Sequence, residues 1–252
     1  DMEVAPGFIM GAVPLGTGSD DQSNETKSYA GFGQATYSIN DQLSLTFGSR
    51  YTYEEKRNSR VGVADPFAVI GTFETDTTKS WNNLSSKLSL QYQANDDLFL
   101  YASYSEGFKS GGFQGSAASG LAASTPFDPE TASQFELGAK AEWMDNRLRL
   151  NAAVFSTDYK DLQILQLLVP IDAPEGLSGV LVTQNASDAK IDGLELEFTA
   201  LVTDAFTISG SYTYLDTAYD NFGIPLGYLA PGEGAAPERD GNELRNAPDT
   251  AW

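Results

Sequence analysis

The feature that most constrains this chain is a strict alternation of apolar and polar residues in long segments that come in pairs joined by very short polar turns. Leu43, Leu45, Phe47, Tyr51 and Tyr53 alternate with Ser44, Thr46, Gly48, Arg50 and Thr52. A period of two puts the first set on one face of a β-strand and the second on the other. The preceding segment, 28 to 39, joins this one through Asn40 and Asp41.

The arrangement repeats three more times. Leu88, Leu90 and Tyr92 lead through a turn at 95 to 97 into Leu98, Leu100, Ala102 and Tyr104. Phe135, Leu137, Ala139, Ala141 and Trp143 lead through 144 to 147 into Leu148, Leu150, Ala152 and Val154. Leu194, Leu196, Phe198 and Ala200 turn at Thr203 and Asp204 and return as Phe206, Ile208, Gly210, Tyr212 and Tyr214. A ninth strand is expected to start near Asn246.

Between the pairs, residues 56 to 79, 111 to 130 and 215 to 245 read as long loops rich in Gly, Pro, Ser and Asp, and residues 1 to 27 as a further outer loop. Ile164 to Val169 and Val180 to Thr183 are apolar enough to extend the neighbouring strands as a hairpin, with Pro170, Pro174 and Gly176 at its tip; a buried core hairpin fits these residues equally.

Tight turns alternating with long loops between two-faced strands are the pattern of an antiparallel up-and-down transmembrane β-barrel. A soluble all-β sandwich has the same period. Two details favour the membrane. Tyr37, Tyr51, Tyr53, Tyr92, Tyr104, Trp143, Tyr212 and Tyr214 fall towards strand ends on the apolar face, where ring and hydroxyl suit a lipid–water boundary. The opposite face carries Arg50, Lys140, Glu142, Arg149, Glu195 and Glu197, charges at every second position that suit a wet or polar-filled interior and are costly in a dry core.

Composition closes other routes. Without cysteine or histidine there is no thiol nucleophile, His-based triad or usual zinc ligand set. A net charge of −20 would repel nucleic acid. Gly107, Gly111, Gly112 and Gly115 lack the Lys-Ser/Thr ending and the α/β setting of a phosphate loop, and the glutamates on alternate positions line a face rather than form an acid/base pair. No enzyme, cofactor or metal centre is expected.

Four phrases, taken together and in order, carry a resemblance: YAGFGQATYSINDQLSLTFGSRYTYEEK (29 to 56), LYASYSEGFKSGGF (100 to 113), ETASQFELGAKAEWMDNRLRLNAAVFSTDYKDLQ (130 to 163) and NASDAKIDGLELEFTA (185 to 200). They are similar to the C-terminal barrel of TonB-dependent receptors, in particular the group found in sphingomonad-like and related proteobacteria. The resemblance implies a 22-stranded barrel filled by a plug domain, an N-terminal TonB box, coupling to the TonB–ExbB–ExbD complex, and outer-membrane import of a ferric siderophore or another scarce nutrient.

Against that pattern the chain, residues 1–252, reads as an interior piece of the barrel domain of about eight to nine strands, lacking signal peptide, plug and C-terminal strands. Eight membrane strands alone would leave two unpaired edges, so such a piece is not expected to transport anything by itself. The resemblance places ligand contacts in the outer loops and upper interior, here Phe108, Lys109, Phe113, Phe127, Phe222 and Tyr228. Lipid and lipopolysaccharide are the expected surroundings, with Asp20, Asp21 and Asp240 as carboxylates for bridging divalent cations. A passive porin or structural barrel without TonB coupling is the alternative.

Overall fold

A computed structural model describes residues 19–63, 72–117, 119–170, 179–224, 228–229 and 239–252. Its strands are β1 (Ser19–Ser38), β2 (Leu43–Val63), β3 (Phe73–Asn95), β4 (Leu98–Lys109), β5 (Gly112–Phe113), β6 (Pro126–Phe127), β7 (Glu130–Trp143), β8 (Leu148–Pro170), β9 (Val180–Thr203), β10 (Phe206–Asp220), β11 (Tyr228–Leu229) and β12 (Thr250–Ala251). A five-residue helix, α1 (Gly120–Ser124), lies between β5 and β6. One antiparallel sheet runs β1-β2-β3-β4-β7-β8-β9-β10-β12, with β11 on β8 and β5 paired to β6. No ladder joins β1 to β12 among the described residues, so the sheet is an open part of a barrel wall.

The turns between paired strands have the chemistry their shortness demands. The Asn40 side chain accepts the N–H groups of Gln42 and Leu43, and that of Asn95 accepts the N–H of Asp97. Between β7 and β8, Met144, Asp145 and Asn146 all have positive φ, which turns the chain within four residues.

The register fixes the strand tilt. A row of cross-strand partners starts at Tyr37, one residue from the end of β1, and passes through Leu45, Leu90, Ala102, Leu137, Val154 and Leu194 to Tyr214, eight residues into β10. Relative to the edge formed by the four short turns the row climbs about one residue per strand. With about 3.3 Å per residue and 4.8 Å per strand, that is a tilt of roughly 35°, within the range barrel closure requires.

All residues of that row are on one face, and it is the exposed one. Tyr37, Phe47, Tyr51, Leu88, Leu90, Phe135, Leu137, Val154, Phe198 and Tyr214 all stand open. Among the described residues the buried apolar side chains are five alanines with Trp81 and Leu168, whereas Thr46, Thr52, Asn58, Arg60, Ser89 and Thr157 are buried. There is no dry centre between two sheets. A soluble sandwich inverts this arrangement, and only an apolar surrounding offsets so much open apolar surface.

Aromatic rings cover glycines across the strands. The Tyr101 ring lies over its partner Gly138 so closely that a Cβ there would be 2.3 Å from it, and Phe155 covers Gly193 in the same way. These glycines let the rings lie flat on the polar face and protect the ladder beneath them.

The strands outrun the sequence-based expectation. β1 starts at Ser19, inside the stretch read as an outer loop; β2 and β3 extend through 56 to 63 and 73 to 79, also read as loop; and β10 continues to Asp220. Here Lys56, Asn58 and Arg60 are on one face and Glu55, Arg57 and Ser59 on the other, so both faces are polar and the period of two is invisible to hydropathy. The span 111 to 130 is not bare loop but holds β5, α1 and β6. The extension of β8 and β9 as a hairpin is present, with Leu168 paired to Val180. Pro174 and Gly176 lie outside the described residues. Of the ninth strand, only Thr250–Ala251 pairs with β10.

Charge on the apolar face therefore carries a cost that its neighbour does not. Replacing Ala139 by Arg, midway along the apolar stretch of β7, is expected to destabilise the complete barrel in a bilayer by ~2–4 kcal/mol, and Lys140→Ala, one residue on, by less than ~1 kcal/mol. Denaturant unfolding from lipid vesicles measures both; equal losses would contradict the assignment of faces.

Candidate functional site

The polar face is continuous and internally bonded. Register places Arg50, Lys140, Glu142, Arg149, Glu195 and Glu197 on it together, opposite Leu137 and Val154. Arg149 pairs with Glu142 at 2.8 Å, Asn151 donates to Glu197, and the Arg50 guanidinium lies 5.7 Å over Phe32. Tyr101 donates to one oxygen of Glu136, Gln134 to the other, and Thr157 in turn to Gln134, a chain linking β4, β7 and β8. Such a surface can hydrogen-bond a polar body or solute inside the wall. Among the described residues no group of acids is gathered to hold a metal.

The six expected ligand contacts do not form one cluster. Phe108 is two residues beyond Glu106 and four beyond Tyr104 on β4, which puts its position on the apolar side of the sheet rather than over the interior. Lys109 has the opposite parity and pairs with Glu130. Phe113 and Phe127 sit on β5 and β6; Phe113 meets the Trp81 ring edge-on at 6.3 Å. Phe222 belongs to a separate group, edge-on to Tyr219 at 5.5 Å and with the Arg239 guanidinium over its ring, also at 5.5 Å. Tyr228 pairs through its backbone with Pro170, and its side chain lies outside the described residues.

The residues that organise this region were not singled out by sequence. β4 leaves β3 above the Lys87–Ser105 pair and ends at Lys109, whereas β3 continues out to Phe73 and β8 to Pro170. The gap between these taller strands is about three strand spacings, or ~14 Å. Residues 110–117 and 119–129, together the 110–129 segment, fill it. On one side Lys56 donates to Gly111, Asn58 to Ala123, and both Arg60 and Gln22 to Gln114. Arg60 is 1% exposed and its charge is met by a two-pronged pair with Asp20. Asp20 is only partly buried, but without it the enclosed Arg60 charge would stand uncompensated, a strongly destabilising change.

On the other side Gln163 donates to the carbonyls of Ser110 and Asp128, and Asn185 both accepts from the Asp128 N–H and donates to the Asp128 carbonyl. The Gln114 side chain bonds both the N–H and the carbonyl of Thr183, as a neighbouring strand residue would. Of the carboxylates expected to bridge cations, Asp20 accepts from Arg60 and Asp240 accepts through one oxygen from the Phe222 N–H.

Where β8 meets this region, the ladder shifts at Tyr159/Leu162 and again at Leu162/Gln163, with Asp161 at φ 55°. Such irregularities re-aim side chains, and here they turn Gln163 onto the 110–129 segment. Asp188 closes the joint by accepting from Lys160 and from the Asp161 N–H. Burial pushes its pKa up, but these bonds outweigh burial and hold it below the ordinary value.

A carboxyl with a lowered folded pKa stabilises fully above its unfolded value and loses that contribution as pH falls through the folded one. Protection of the Asp161 amide from hydrogen exchange, corrected for intrinsic rate, is therefore expected to hold at neutral pH and to fall only below the ordinary carboxylate range. Asp188→Asn is expected to lower it at neutral pH and to remove its pH dependence; a variant that keeps native protection at neutral pH would refute the assignment.

Comparison with known proteins bears on the whole face. Residues 4–251 match the family model described as TonB dependent receptor-like, beta-barrel. A probable TonB-dependent siderophore receptor, PiuA, of Acinetobacter baumannii is 38% identical over 90 residues, 36% of this chain and 10% of that protein. The pesticin receptor of Yersinia enterocolitica is 27% identical over 173 residues, 68% of this chain and 23% of that protein. Among solved structures, the ferric yersiniabactin uptake receptor FyuA of Yersinia pestis superposes with a TM-score of 0.68 at 20% identity, covering 87% of this chain and 32% of that one. The siderophore receptor PiuA of Acinetobacter baumannii gives 0.67 at 20% identity, covering 91% and 30%. At such identity the structural likeness speaks for the fold, and this chain spans a third or less of the length of these proteins.

Proposed function

The chain belongs to the TonB dependent receptor-like β-barrel family, and from that premise we propose that it is one stretch of the barrel of an outer-membrane receptor that binds a ferric siderophore or a similar scarce nutrient and imports it actively. The family's members are transport receptors, not enzymes. The observation that carries the reading is the inversion of the sheet: its apolar face is open, with belts of tyrosine at the strand ends, and its polar face carries bonded charges. Lipid and lipopolysaccharide would cover the first face.

Our reading gives the second face a plug domain as its partner. Glu136, Glu195 and Glu197 offer acceptors to such a body, and Lys140 and Arg149 offer donors. Energy would come from TonB–ExbB–ExbD, acting on a region of the receptor outside this chain. The siderophore class is our reading, supported by relatives that are named as siderophore or ferric-siderophore receptors. The porin alternative lacks a comparable supporting observation.

Deleting the gene is expected to abolish growth in iron-depleted medium on at least one ferric siderophore that supports the parent strain, and loss of TonB is expected to reproduce the defect. Growth unchanged across a broad siderophore panel would exclude iron import, and uptake that survives loss of TonB would favour a passive barrel.

A further inference from the structure

We propose that residues 110–129 form a fixed crosspiece, pinned between the β1–β2–β3 ribbon and the β8–β9 hairpin, and not a lid that swings over the opening. The inference is independent of which solute is carried. Above the Lys87–Ser105 pair, β3 has lost β4 as a neighbour, and a narrow ribbon standing alone in water is only marginally stable. Something has to hold it, and the 110–129 segment supplies bonds in both directions.

The pins are unlike those of a loop resting on a surface. Arg60 and Asn58, 1% and 0% exposed, are polar groups enclosed by the segment itself, so lifting it away would strip Arg60 and Asn58 of the Gln114 and Ala123 carbonyls they bond. Gln114 docks on Thr183 through both ends of its amide. Gly111 packs so tightly that a Cβ there would be 2.5 Å from both the Trp81 ring and the Phe127 carbonyl. The ammonium groups of the cross-strand partners Lys56 and Lys79 lie 5.9 and 5.5 Å from the Trp81 ring, and Lys79 also reaches Asp128. Opening would have to break the charged and aromatic contacts on the β2–β3 side and the amide contacts on the β8–β9 side.

The test uses the whole receptor, cleared of any cysteine outside this cysteine-free stretch, in outer-membrane vesicles. Nitroxide labels go on Leu121 of the crosspiece, which is 79% exposed, paired either with Val61 of β2 or with Leu181 of β9. Pulsed electron–electron resonance is expected to give one narrow distance distribution for each pair. Gln114→Ala combined with Gly111→Ala is expected to broaden both while the barrel still migrates as folded on unheated gels. Broad or two-peaked distributions in the unaltered receptor would overturn the proposal, as would narrow ones that survive the double substitution. Should the double variant fail to assemble, Gln114→Ala alone, which frees the segment from Thr183 but leaves the Gln114 carbonyl bonded to Arg60, is expected to broaden the Leu121–Leu181 distribution and leave the Leu121–Val61 one narrow; a Leu121–Leu181 distribution that stays narrow would overturn the proposal.

Discussion

Every other feature of this protein depends on the requirement that backbone N–H and C=O groups in hydrocarbon find partners within the chain. In a sheet those partners are on the adjacent strand, so each long strand needs a neighbour along its membrane length, and the eight long strands here are paired in an unbroken antiparallel series. Once the ladder is imposed, the side-chain period of two follows. One face must then suit lipid and the other whatever fills the interior. The roughly 35° tilt read from the register is the same constraint seen across strands, because a sheet closes into a barrel only when its strands lean.

Beyond the membrane the requirement relaxes, and so does the regularity it enforces. The β2–β3 and β8–β9 hairpins extend well past the ten or so residues needed to cross a bilayer. In water their polar faces are cheap, but the gap between them removes the lateral support that neighbouring strands give lower down. The 110–129 segment replaces that support with side-chain-to-backbone bonds, notably from Arg60, Asn58, Gln163 and Asn185. The two most deeply buried polar side chains of this junction each have a partner, Asp20 for the Arg60 guanidinium and the Ala123 carbonyl for the Asn58 amide, whereas Trp81 Nε1 and Thr75 Oγ1 beside them are buried without one among the described residues.

The sequence was most legible where hydrocarbon dictated it. Tyr51, Leu88, Leu137 and Leu194 announce their face because their alternate neighbours Thr52, Ser89, Gly138 and Glu195 differ from them so sharply. Residues 56 to 63 continue the same strand unseen, since Lys56, Arg57, Asn58 and Arg60 are polar whichever way they point. The expected ligand contacts rest on a resemblance that points to the outer loops and upper interior, and such a placement carries no information on parity. Phe108 accordingly takes its place on the apolar side, and Phe113 packs against Trp81 inside the crosspiece.

By itself, then, the amino-acid sequence determined the strand pairs, their turns at Asn40, Asn95, Asn146 and Asp204, the identity of the two faces and the class of protein, because each is set by neighbours within a few residues or by the solvent a face must meet. Tertiary structure alone decided how far the strands rise, that residues 110–129 bridge two hairpins, and that Arg60 is buried. Those outcomes depend on contacts between residues such as Gln114 and Thr183, 69 positions apart, for which local periodicity leaves no mark.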